Sequence, residues 1–495
     1  MKWDIGTFIL TNINKVFPKF KITCSRYPNP ESLIIPTNPM TVDYFDMQID
    51  KGNDYYRESY RNYASFEDKV VLDIGCGLGG TTFAYGKTGA KLAIGLEIET
   101  AYLLAAEAQY SPMKILFISS DFPPADGGIA IFNYHICKEL CRRGHKVTVL
   151  APRQSGSETF DRKQDFCIKR LRSRFRPSSL EIVCQHLHWI SKEKIEVIFF
   201  GHFGSVHWLS SFFAKEFFKI PYVILVHGTD LNAYFRRFSL SDRWASQVVL
   251  NNADAVVVNS RVTHKLVEDY GYPSARIHII NPGADTDRFI SFRPQADIIE
   301  KLGIKSKKVL LTVARLVGKK NHENVLRALP LALKQVPELI YLVAGKGEEE
   351  QKLKKMVKDL GLEKYVSFLG HIEPEDLPVY YNACDVFVMP SKTVDIDYES
   401  FGIVYLEANA CAKPVIASRT GGIEDAVVDG ITGIMVDPDN ITEISEAIIR
   451  LLTDQDYAKK LGDNGRRRAE EGFGWPMVGQ KVESVLRQTV QNNGR

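Results

Sequence analysis

At 495 residues the chain has room for roughly three domains of about 150 residues each, and its composition, 45% hydrophobic and 25% charged, is that of a folded globular protein. These values exclude a disordered chain, a collagen and a coiled coil. The 63 basic and 60 acidic residues leave a formal charge of +3, which is too small for a dedicated nucleic-acid binder, so we expect no nucleic-acid partner.

The eight cysteines are scattered, with no Cys-x-x-Cys pair and no Cys/His cluster at zinc spacing. This pattern predicts reduced thiols and no metal site. The N-terminus lacks the pattern of a signal peptide, and no apolar run approaches the ~20 residues that a bilayer requires. We therefore expect a cytoplasmic protein, or a peripheral one on the inner face of a membrane.

The first 112 residues are expected to form a unit of their own. Residues 1–65 are irregular and rich in Tyr, Pro and Asn, after which 70–77 reads as a strand that runs into a glycine turn. A second strand is predicted at 91–96. At Met113 a new apolar strand begins, of the kind that opens a nucleotide-binding domain.

From Met113 onward, short apolar strands alternate with helices. Runs of β-branched residues without polar alternation are typical of buried parallel strands, so we predict an α/β protein with two doubly wound domains facing a cleft. The predicted strands are 115–118, 147–150, 197–200, 223–226 and 255–258 in the first domain, and 309–313, 340–344, 366–369, 386–389 and 415–417 in the second.

An irregular stretch from Asn281 to Gln295 predicts a linker between these domains. The first domain would then span 113–285 and the second 296–472. In the last segment, 473–495, apolar residues recur at helical spacing, which predicts a helix that packs back across the domains.

A glycine turn follows the first predicted strand of the first domain. Gly127 and Gly128 come directly before a helix predicted from Ile129 to about Arg143. Glycines let the backbone approach a ligand closely, and free amides at a helix start suit a phosphate. An ordinary strand-to-helix turn is the alternative.

The corresponding turn of the second domain carries cations. Arg315 and Lys320 follow the strand 309–313, at the sheet edge where doubly wound folds bind ligands. Two fixed cations there match a diphosphate. A solvated basic loop is the alternative, and it is the role we expect for Lys319.

Two carboxylates, Glu399 and Glu407, flank a predicted loop-to-helix junction at Phe401-Gly402. If the segment is helical from Phe401, the carboxylates lie up to ~12 Å apart. This exceeds the ~5–9.5 Å of a glycosidase pair, so we predict that they hold opposite ends of one extended ligand. The alternative is a helix-dipole glutamate at 399 and an exposed helical glutamate at 407.

Two further sets of residues follow strands. His227 ends the strand 223–226, where we expect it on the rim of the cleft, although a lone histidine is often structural. Gly345 and Gly347 form a turn after strand 340–344 and are expected to shape a nucleotide pocket, although ordinary turn chemistry explains them as well.

Together, these motifs from Met113 to Arg495 resemble glycosyltransferase family 4, whose members are retaining enzymes of the GT-B fold that use nucleotide-sugar donors. The resemblance covers about three-quarters of the chain. It implies transfer of a hexosyl group from a UDP- or GDP-sugar to a glycan, a lipid-linked sugar or another hydroxyl acceptor, without a metal. One departure is Asn321, which stands where the family usually has glycine.

The resemblance also implies a role for each site residue. Gly127, Gly128, Phe401 and Gly402 would hold the diphosphate, Gly345 and Gly347 would shape the nucleotide pocket, and Glu407 would hold the ribose. Arg315 and Lys320 would stabilise the departing nucleoside diphosphate, and Glu399 and His227 would position the sugar. A non-catalytic scaffold that binds a nucleotide sugar is the alternative to an enzyme.

The segment before Met113 resembles the first part of class I S-adenosylmethionine-dependent methyltransferases. This resemblance implies that Asp73, Gly75, Gly77 and Glu97 would contact S-adenosylmethionine. Only about 45 residues separate the motif from the next domain, too few for the usual seven-stranded sheet. We therefore expect a truncated segment without methyl transfer, and a bifunctional protein is the alternative.

A basic segment, 169–176, lies in the first domain and contains five cations and two apolar residues. One interpretation is that it faces anionic lipid headgroups or a phosphate-bearing acceptor. A solvated loop that favours solubility is the other.

Overall fold

The computed structural model describes residues 70–74, 92–96, 111–125, 127–171, 180–204, 207–236 and 239–494. The chain divides into two compact units, Met1–Pro112 and Met113–Arg495. In the first unit, strands β1 (Val70–Ile74) and β2 (Leu92–Leu96) pair in parallel. Both strands were predicted.

The second unit contains two parallel sheets, which confirms the predicted fold class. The first sheet has the order β5-β4-β3-β6-β7-β8-β9 and the second the order β12-β11-β10-β13-β14-β15. Its strands are β3 (Lys114–Ile118), β4 (Lys146–Pro152), β5 (Cys167–Leu171), β6 (Val197–Phe200), β7 (Tyr222–Val226), β8 (Ala255–Val258), β9 (Ile277–Ile279), β10 (Lys308–Val313), β11 (Leu339–Ala344), β12 (Val366–Gly370), β13 (Val386–Val388), β14 (Val415–Ser418) and β15 (Gly433–Val436).

Helices cover both faces of each sheet. The helices described with the first sheet are α1 (Gly128–Arg142), α2 (Ser157–Asp161), α3 (Leu180–Glu193), α4 (Trp208–Glu216), α5 (Thr229–Arg236), α6 (Leu240–Asn252) and α7 (Arg261–Asp269). Those of the second part are α8 (Ala296–Lys301), α9 (His322–Leu333), α10 (Glu350–Asp359), α11 (Leu377–Ala383), α12 (Ile403–Ala410), α13 (Ile423–Ala426), α14 (Ile441–Thr453), α15 (Gln455–Gly472) and α16 (Trp475–Asn492).

The predicted strands of both domains are present, and the sequence pattern missed β5, β9 and β15. All three are edge strands of their sheets. Strand β5 reads Cys-Ile-Lys-Arg-Leu and is mostly half-buried, and β9 has only three residues with a histidine at its centre, so neither offers the continuous apolar run on which the prediction relied. Strand β15 reads Gly-Ile-Met-Val and is largely buried, so its edge position does not explain why it was missed.

Each sheet is packed between two apolar layers because successive side chains of a strand point to opposite faces. In β3, Ile115 and Phe117 join one layer, while Leu116 and Ile118 join the other. The second sheet is covered in the same way on both faces. Because all the strands of each sheet run parallel, their carboxyl ends lie at one edge of that sheet.

The chain passes between the two sheets twice. The linker after β9 runs beside the end of α15, where the Ala284 N–H donates to the Phe473 carbonyl over 2.8 Å. Helix α16 then packs against α1 and adds Trp475, Val478 and Val482 to the apolar layer of the first sheet. The C-terminal helix therefore completes the core of the first domain.

Candidate functional site

The central strands β3 and β10 place the two turn motifs. In each sheet the strand order reverses beside this strand, since β3 lies between β4 and β6 and β10 lies between β11 and β13. Doubly wound sheets bind ligands in the crevice at such a reversal, outside the carboxyl ends of the strands. The Gly127-Gly128 turn follows β3, and the Arg315 to Lys320 turn follows β10.

The glycine turn of the first domain faces the second domain. Gly127 has φ +133°, a conformation that favours glycine, and Gly128 begins α1. A Cβ atom built on Gly128 would lie 3.8 Å from Cδ1 of Ile403, the first residue of α12. The starts of two helices from different domains therefore meet at one place. Both present free amides there, which suits an anion.

The start of α12 differs from the prediction. The helix begins at Ile403 and not at Phe401, and Gly402 is its N-cap with φ +88°. The Phe401 side chain is buried and packs against Phe473 with ring centroids 6.0 Å apart. The free helix-start amides are therefore those from Gly402 onward, and Phe401 anchors the turn in the core of the second domain.

Hydrogen bonds from Asn321 fix the turn after β10. Asn321 adopts a left-handed conformation with φ +59°, and its Nδ2 donates to the carbonyls of Pro390 and Pro438 over 2.9 and 2.8 Å. Asparagine tolerates this conformation better than most residues, which explains why it can stand in place of glycine. The side chain also adds two hydrogen bonds that glycine could not make.

Gly345 and Gly347 support the same turn from the other side. A Cβ atom on Gly345 would lie 1.9 Å from the Ala314 carbonyl oxygen, and one on Gly347 would lie 2.3 Å from that of Leu316. These glycines thus allow two backbone segments to touch. Arg315 lies between these contacts with an exposed side chain, which is free to meet a ligand.

The two lysines of this turn have different partners. Lys320 forms an ion pair with Glu399, and Lys319 forms one with Asp397 at 2.8 Å. Both lysine side chains are 14% exposed. The expectation that Lys319 is a solvated loop residue was wrong, because the structure gives it a carboxylate partner.

Glu407 is buried in α12 and points into the second domain. The Tyr381 hydroxyl donates to its Oε2 over 2.8 Å, and burial raises the pKa of Glu407. The alternative of an exposed helical glutamate is therefore wrong. Sequence analysis missed Tyr381, since nothing in its local pattern sets it apart from other core tyrosines.

His227 lies at the end of β7 and is buried. Its Nε2 has no hydrogen-bond partner among the described residues, and burial lowers the pKa of His227 to about 4. The ring is therefore neutral at pH 7. The Asp230 carboxylate accepts hydrogen bonds from the backbone N–H groups of His227 and Leu231 over 3.0 and 2.8 Å and so fixes this turn.

A segment beside Glu399 joins the two domains, and sequence analysis did not identify it. The Thr229 hydroxyl in the first domain donates to Asp397 over 3.2 Å, and Asn259 Nδ2 donates to the Ser400 hydroxyl over 2.9 Å. Tyr398 is buried between these contacts. No local pattern reveals such residues, because their partners lie more than 100 positions away.

The residues predicted to contact S-adenosylmethionine belong to the first compact unit. Asp73 lies in β1, whereas Gly75, Gly77 and Glu97 lie outside the described residues. Within the described ranges, no group of three or more His, Cys, Asp or Glu side chains is arranged to hold a metal ion.

The basic segment 169–176 is described only as far as Leu171. Arg170 is largely buried, where it pairs with Asp161 at 2.8 Å and donates to the Pro152 carbonyl over 3.1 Å. Lys169 lies over the ring of Trp189, 5.0 Å from the centroid. At Arg170 the interpretation of the segment as a surface for lipid or acceptor was wrong, because its guanidinium is used within the first domain, and residues 172–176 lie outside the described residues.

Comparison with protein families gives two matches, one in each domain. Residues 126–288 match Glycosyltransferase Family 4, and residues 294–468 match Glycosyl transferases group 1. Both matches lie within the second compact unit.

Two curated relatives extend the comparison. The GDP-mannose-dependent alpha-(1-6)-phosphatidylinositol monomannoside mannosyltransferase of Mycolicibacterium smegmatis is 32% identical over 384 residues, which are 75% of this chain and 98% of the relative. The D-inositol 3-phosphate glycosyltransferase of Corynebacterium jeikeium is 31% identical over 302 residues, 57% of this chain and 69% of the relative.

Solved structures share the fold. The Anabaena Alr3699/HepE protein in complex with UDP matches with a TM-score of 0.65 and 22% identity, over 76% of this chain and all of that one. The sucrose-phosphate synthase of Thermosynechococcus elongatus matches with a TM-score of 0.62 and 25% identity, over 76% and 98%.

Proposed function

Since this chain belongs to glycosyltransferase family 4 and transfers a sugar from a nucleotide-sugar donor, we propose that its donor is GDP-mannose and that its acceptor is a hydroxyl of an inositol phosphate glycolipid. One observation assigns the donor site. The starts of α1 and α12, at Gly128 and Ile403, lie side by side at the edge of the second sheet where Arg315 and Lys320 also lie. The inositol phosphate acceptor is supported by the names of both relatives, a phosphatidylinositol monomannoside mannosyltransferase and a D-inositol 3-phosphate glycosyltransferase.

In the proposed reaction the donor diphosphate lies between the helix starts. Breaking the bond to the sugar leaves positive charge on the ring and adds negative charge to the departing phosphate. Lys320, which Glu399 holds, and the helix-start amides are fixed before the reaction, so they stabilise the transition state more than the bound donor, and the exposed Arg315 adds a second positive charge. The departing phosphate accepts the acceptor's proton on the same face, which gives retention of configuration.

The other site residues are proposed to orient the donor. Glu407, held by Tyr381, accepts the ribose hydroxyls. Glu399 and the neutral Nε2 of His227 contact the sugar hydroxyls. An imidazole that stays neutral at pH 7 can accept or donate a hydrogen bond without opposing the positive charge of the sugar ring.

A donor panel tests this proposal. We expect nucleoside diphosphate release with GDP-mannose and a water-soluble, deacylated inositol phosphate acceptor, and much less with UDP-glucose or without acceptor. Glu399→Ala should retain donor binding by calorimetry and lose turnover by about 100-fold or more. The matched control is Glu446→Ala, an exposed position in α14, which should match the wild type. Equal turnover in both variants would refute the site, and no release with any donor would refute the reaction.

We also propose that the first domain contacts the membrane that holds the acceptor. An aromatic patch on α4 and α6 carries this proposal. Phe217, Leu240 and Trp244 are 67%, 81% and 59% exposed, and the rings of Trp208 and Trp244 meet at 5.5 Å. Exposed tryptophan and phenylalanine side chains suit the interfacial region of a bilayer. No helix in the described ranges combines the length and the apolar character needed to span one.

The position of the patch agrees with this role. Helix α5 begins at Thr229 beside the cleft and, at 1.5 Å per residue, ends about 12 Å away next to α6. Between residues 234 and 244 the sequence has three arginines and one aspartate, which favours anionic lipid. An acceptor headgroup could thus reach the cleft while its acyl chains stay in the bilayer.

Vesicle sedimentation tests the membrane proposal. The double variant Phe217→Ser, Trp244→Ser should bind anionic phosphatidylinositol vesicles about 10-fold more weakly than the wild type, because two exposed anchors are lost. The control Ile431→Ser removes a side chain of the second domain that is 52% exposed and should not change binding. Unchanged binding of the double variant would refute the patch.

For residues 1–112 we propose a truncated methyltransferase-like segment without methyl transfer. The parallel pairing of β1 and β2 supports it, because the carboxyl ends of both strands, which precede Gly75 and Glu97, lie at one edge. We expect no S-adenosylmethionine binding, and heat on titration of the cofactor in calorimetry would overturn that expectation.

A further inference from the structure

The segment Tyr398-Glu399-Ser400 belongs to the second domain, yet it contacts the first domain on both sides of Glu399. Tyr398 Oη lies so close to Gly228 that a Cβ atom built there would be 2.3 Å away. On the other side, Ser400 accepts its hydrogen bond from Asn259. Glu399 therefore lies between two residues that are anchored in the opposite domain.

The anchors are set in rigid surroundings. Asn259 is buried, and its Oδ1 accepts a hydrogen bond from Thr263 over 2.9 Å. Burial raises the pKa of Tyr398 to about 12, so its phenol is neutral at physiological pH. Gly228 directly follows His227, so the ring of Tyr398 also supports the turn that holds this histidine.

The backbone of the same segment is fixed within the second domain. The Gly422 N–H donates to the Glu399 carbonyl over 2.9 Å, and a Cβ atom on Gly421 would lie 2.2 Å from that oxygen. Residues of the second domain thus fix the backbone carbonyl of Glu399. Residues of the first domain contact the side chains of its neighbours Tyr398 and Ser400. Only the docked arrangement of the two domains satisfies both sets of contacts.

We infer that Tyr398 and Ser400 are positioning residues that hold Glu399 toward the donor sugar while the domains are docked. The inference rests on the proposed role of Glu399 in sugar binding. It explains how docking is coupled to reaction, since separation of the domains removes both anchors. Neither residue needs to touch the donor.

Ser400→Ala and Asn259→Ala each remove one partner of the hydrogen bond that anchors Ser400 to the first domain. Each should lower kcat by about 10- to 100-fold, because a small misplacement of a reacting or orienting group has effects of this size. The donor KM should change less than about 3-fold, because the diphosphate and ribose contacts remain. The double variant should be no worse than Asn259→Ala alone, since both changes remove the hydrogen bond between Asn259 and Ser400. Ser400→Thr should restore kcat because it returns the hydroxyl.

Tyr398→Phe and Tyr398→Ala test the second anchor. The phenylalanine variant keeps the ring against Gly228 and should retain most of kcat, while the alanine variant should lose about 10-fold or more. Arg261→Ala is the matched control, because Arg261 pairs with Asp425 of the other domain through an exposed side chain outside the 398–400 segment. Its kcat should stay within about 2-fold of the wild type.

Glu399→Ala distinguishes a failure of the proposed donor site from a failure of the positioning inference alone. If that variant keeps full turnover, the proposed site fails. If it loses turnover while Ser400→Ala and Tyr398→Ala keep the wild-type kcat, only the positioning inference fails. The positioning inference would also be overturned if the losses of kcat in Asn259→Ala and Ser400→Ala added up in the double variant. A rise in donor KM with unchanged kcat in these variants would overturn it as well.

Discussion

At the scale of single residues, Lys319 and Lys320 illustrate how one turn assigns different tasks to identical side chains. They are equally exposed, but Lys320 faces Glu399 in the proposed donor site, whereas Lys319 faces Asp397, which also receives the Thr229 hydroxyl of the first domain. Lys320 is therefore placed to meet the departing phosphate, and Lys319 holds the carboxylate of Asp397, which contacts the first domain through Thr229.

Replacing each lysine separates these tasks. Lys320→Ala should lower kcat by about 100- to 1,000-fold, because it removes a fixed charge where negative charge develops. Lys319→Ala should lower kcat by less than about 5-fold, since a single partly exposed ion pair contributes little. Steady-state kinetics with a saturating donor provides the measurement. Equal losses in the two variants would contradict the assignment of the leaving-group charge to Lys320.

At the scale of elements, the attachment of α16 to α1 depends on a charged cluster as well as on its apolar face. Glu483 pairs with Arg143 and with Arg487, the latter at 2.7 Å, and lies 3.0 Å from His145 Nε2. The Met113 N–H donates to His145 Nδ1 over 3.0 Å, so the Nε2 of this histidine carries the proton that faces Glu483. The cluster thus ties α16 to the start of the first domain.

Glu483→Gln should lower the free energy of unfolding at pH 7 by about 2–4 kcal/mol, because it leaves partly buried cations without their partner. Burial alone would raise the pKa of Glu483, but the His145 hydrogen bond and the Arg143 charge lower it to about 2. The stabilisation is therefore complete above pH 4.5 and is lost as the pH falls toward 2.

Urea unfolding at pH 7 and at lower pH measures this difference. The control is Ser484→Ala, an exposed neighbour in α16, which should unfold like the wild type. The gap between Glu483→Gln and the wild type should shrink below pH 4.5. A gap that stays constant down to pH 2 would mean that the carboxylate charge is not what stabilises the helix.

At the scale of the whole molecule, buried histidines beneath the carboxyl edge of the first sheet link stability to pH. Burial lowers the pKa of His186 to about 3 and those of His202 and His227 to about 4. Between about pH 4 and 6.5 the unfolded chain binds protons that the folded protein does not, so stability falls on acidification. Burial raises the pKa of Asp230 to about 6 and also raises the pKa of Glu407, and both carboxyl groups oppose this trend.

We therefore expect the melting temperature to fall between pH 7.5 and pH 5, with each such histidine contributing about 1.4 kcal/mol per pH unit within its range. His186→Gln should flatten the pH dependence. His371→Gln, at a side chain that is 42% exposed, should leave it unchanged. Scanning calorimetry across this range measures both slopes, and a wild-type melting temperature independent of pH would contradict the prediction.

The sequence alone was sufficient for the features that depend on local pattern. Buried parallel strands have a continuous apolar composition, so most of the strands, the doubly wound class and the sheet edges that carry Arg315 and Lys320 in the second domain and His227 in the first could be predicted. The glycines could be predicted too, because a tight turn or a close backbone contact limits which residue can occupy it.

Only the tertiary structure decided which side chains meet. It paired Lys320 with Glu399 and Lys319 with Asp397, buried Glu407 against Tyr381, and used Arg170 within the first domain. It also brought Tyr398 against Gly228 and Ser400 against Asn259. The physical reason is that an ion pair or a hydrogen bond depends on distances of a few ångströms, which two separate sheets fix only once they are folded and docked. Composition and spacing along the chain carry no record of those distances.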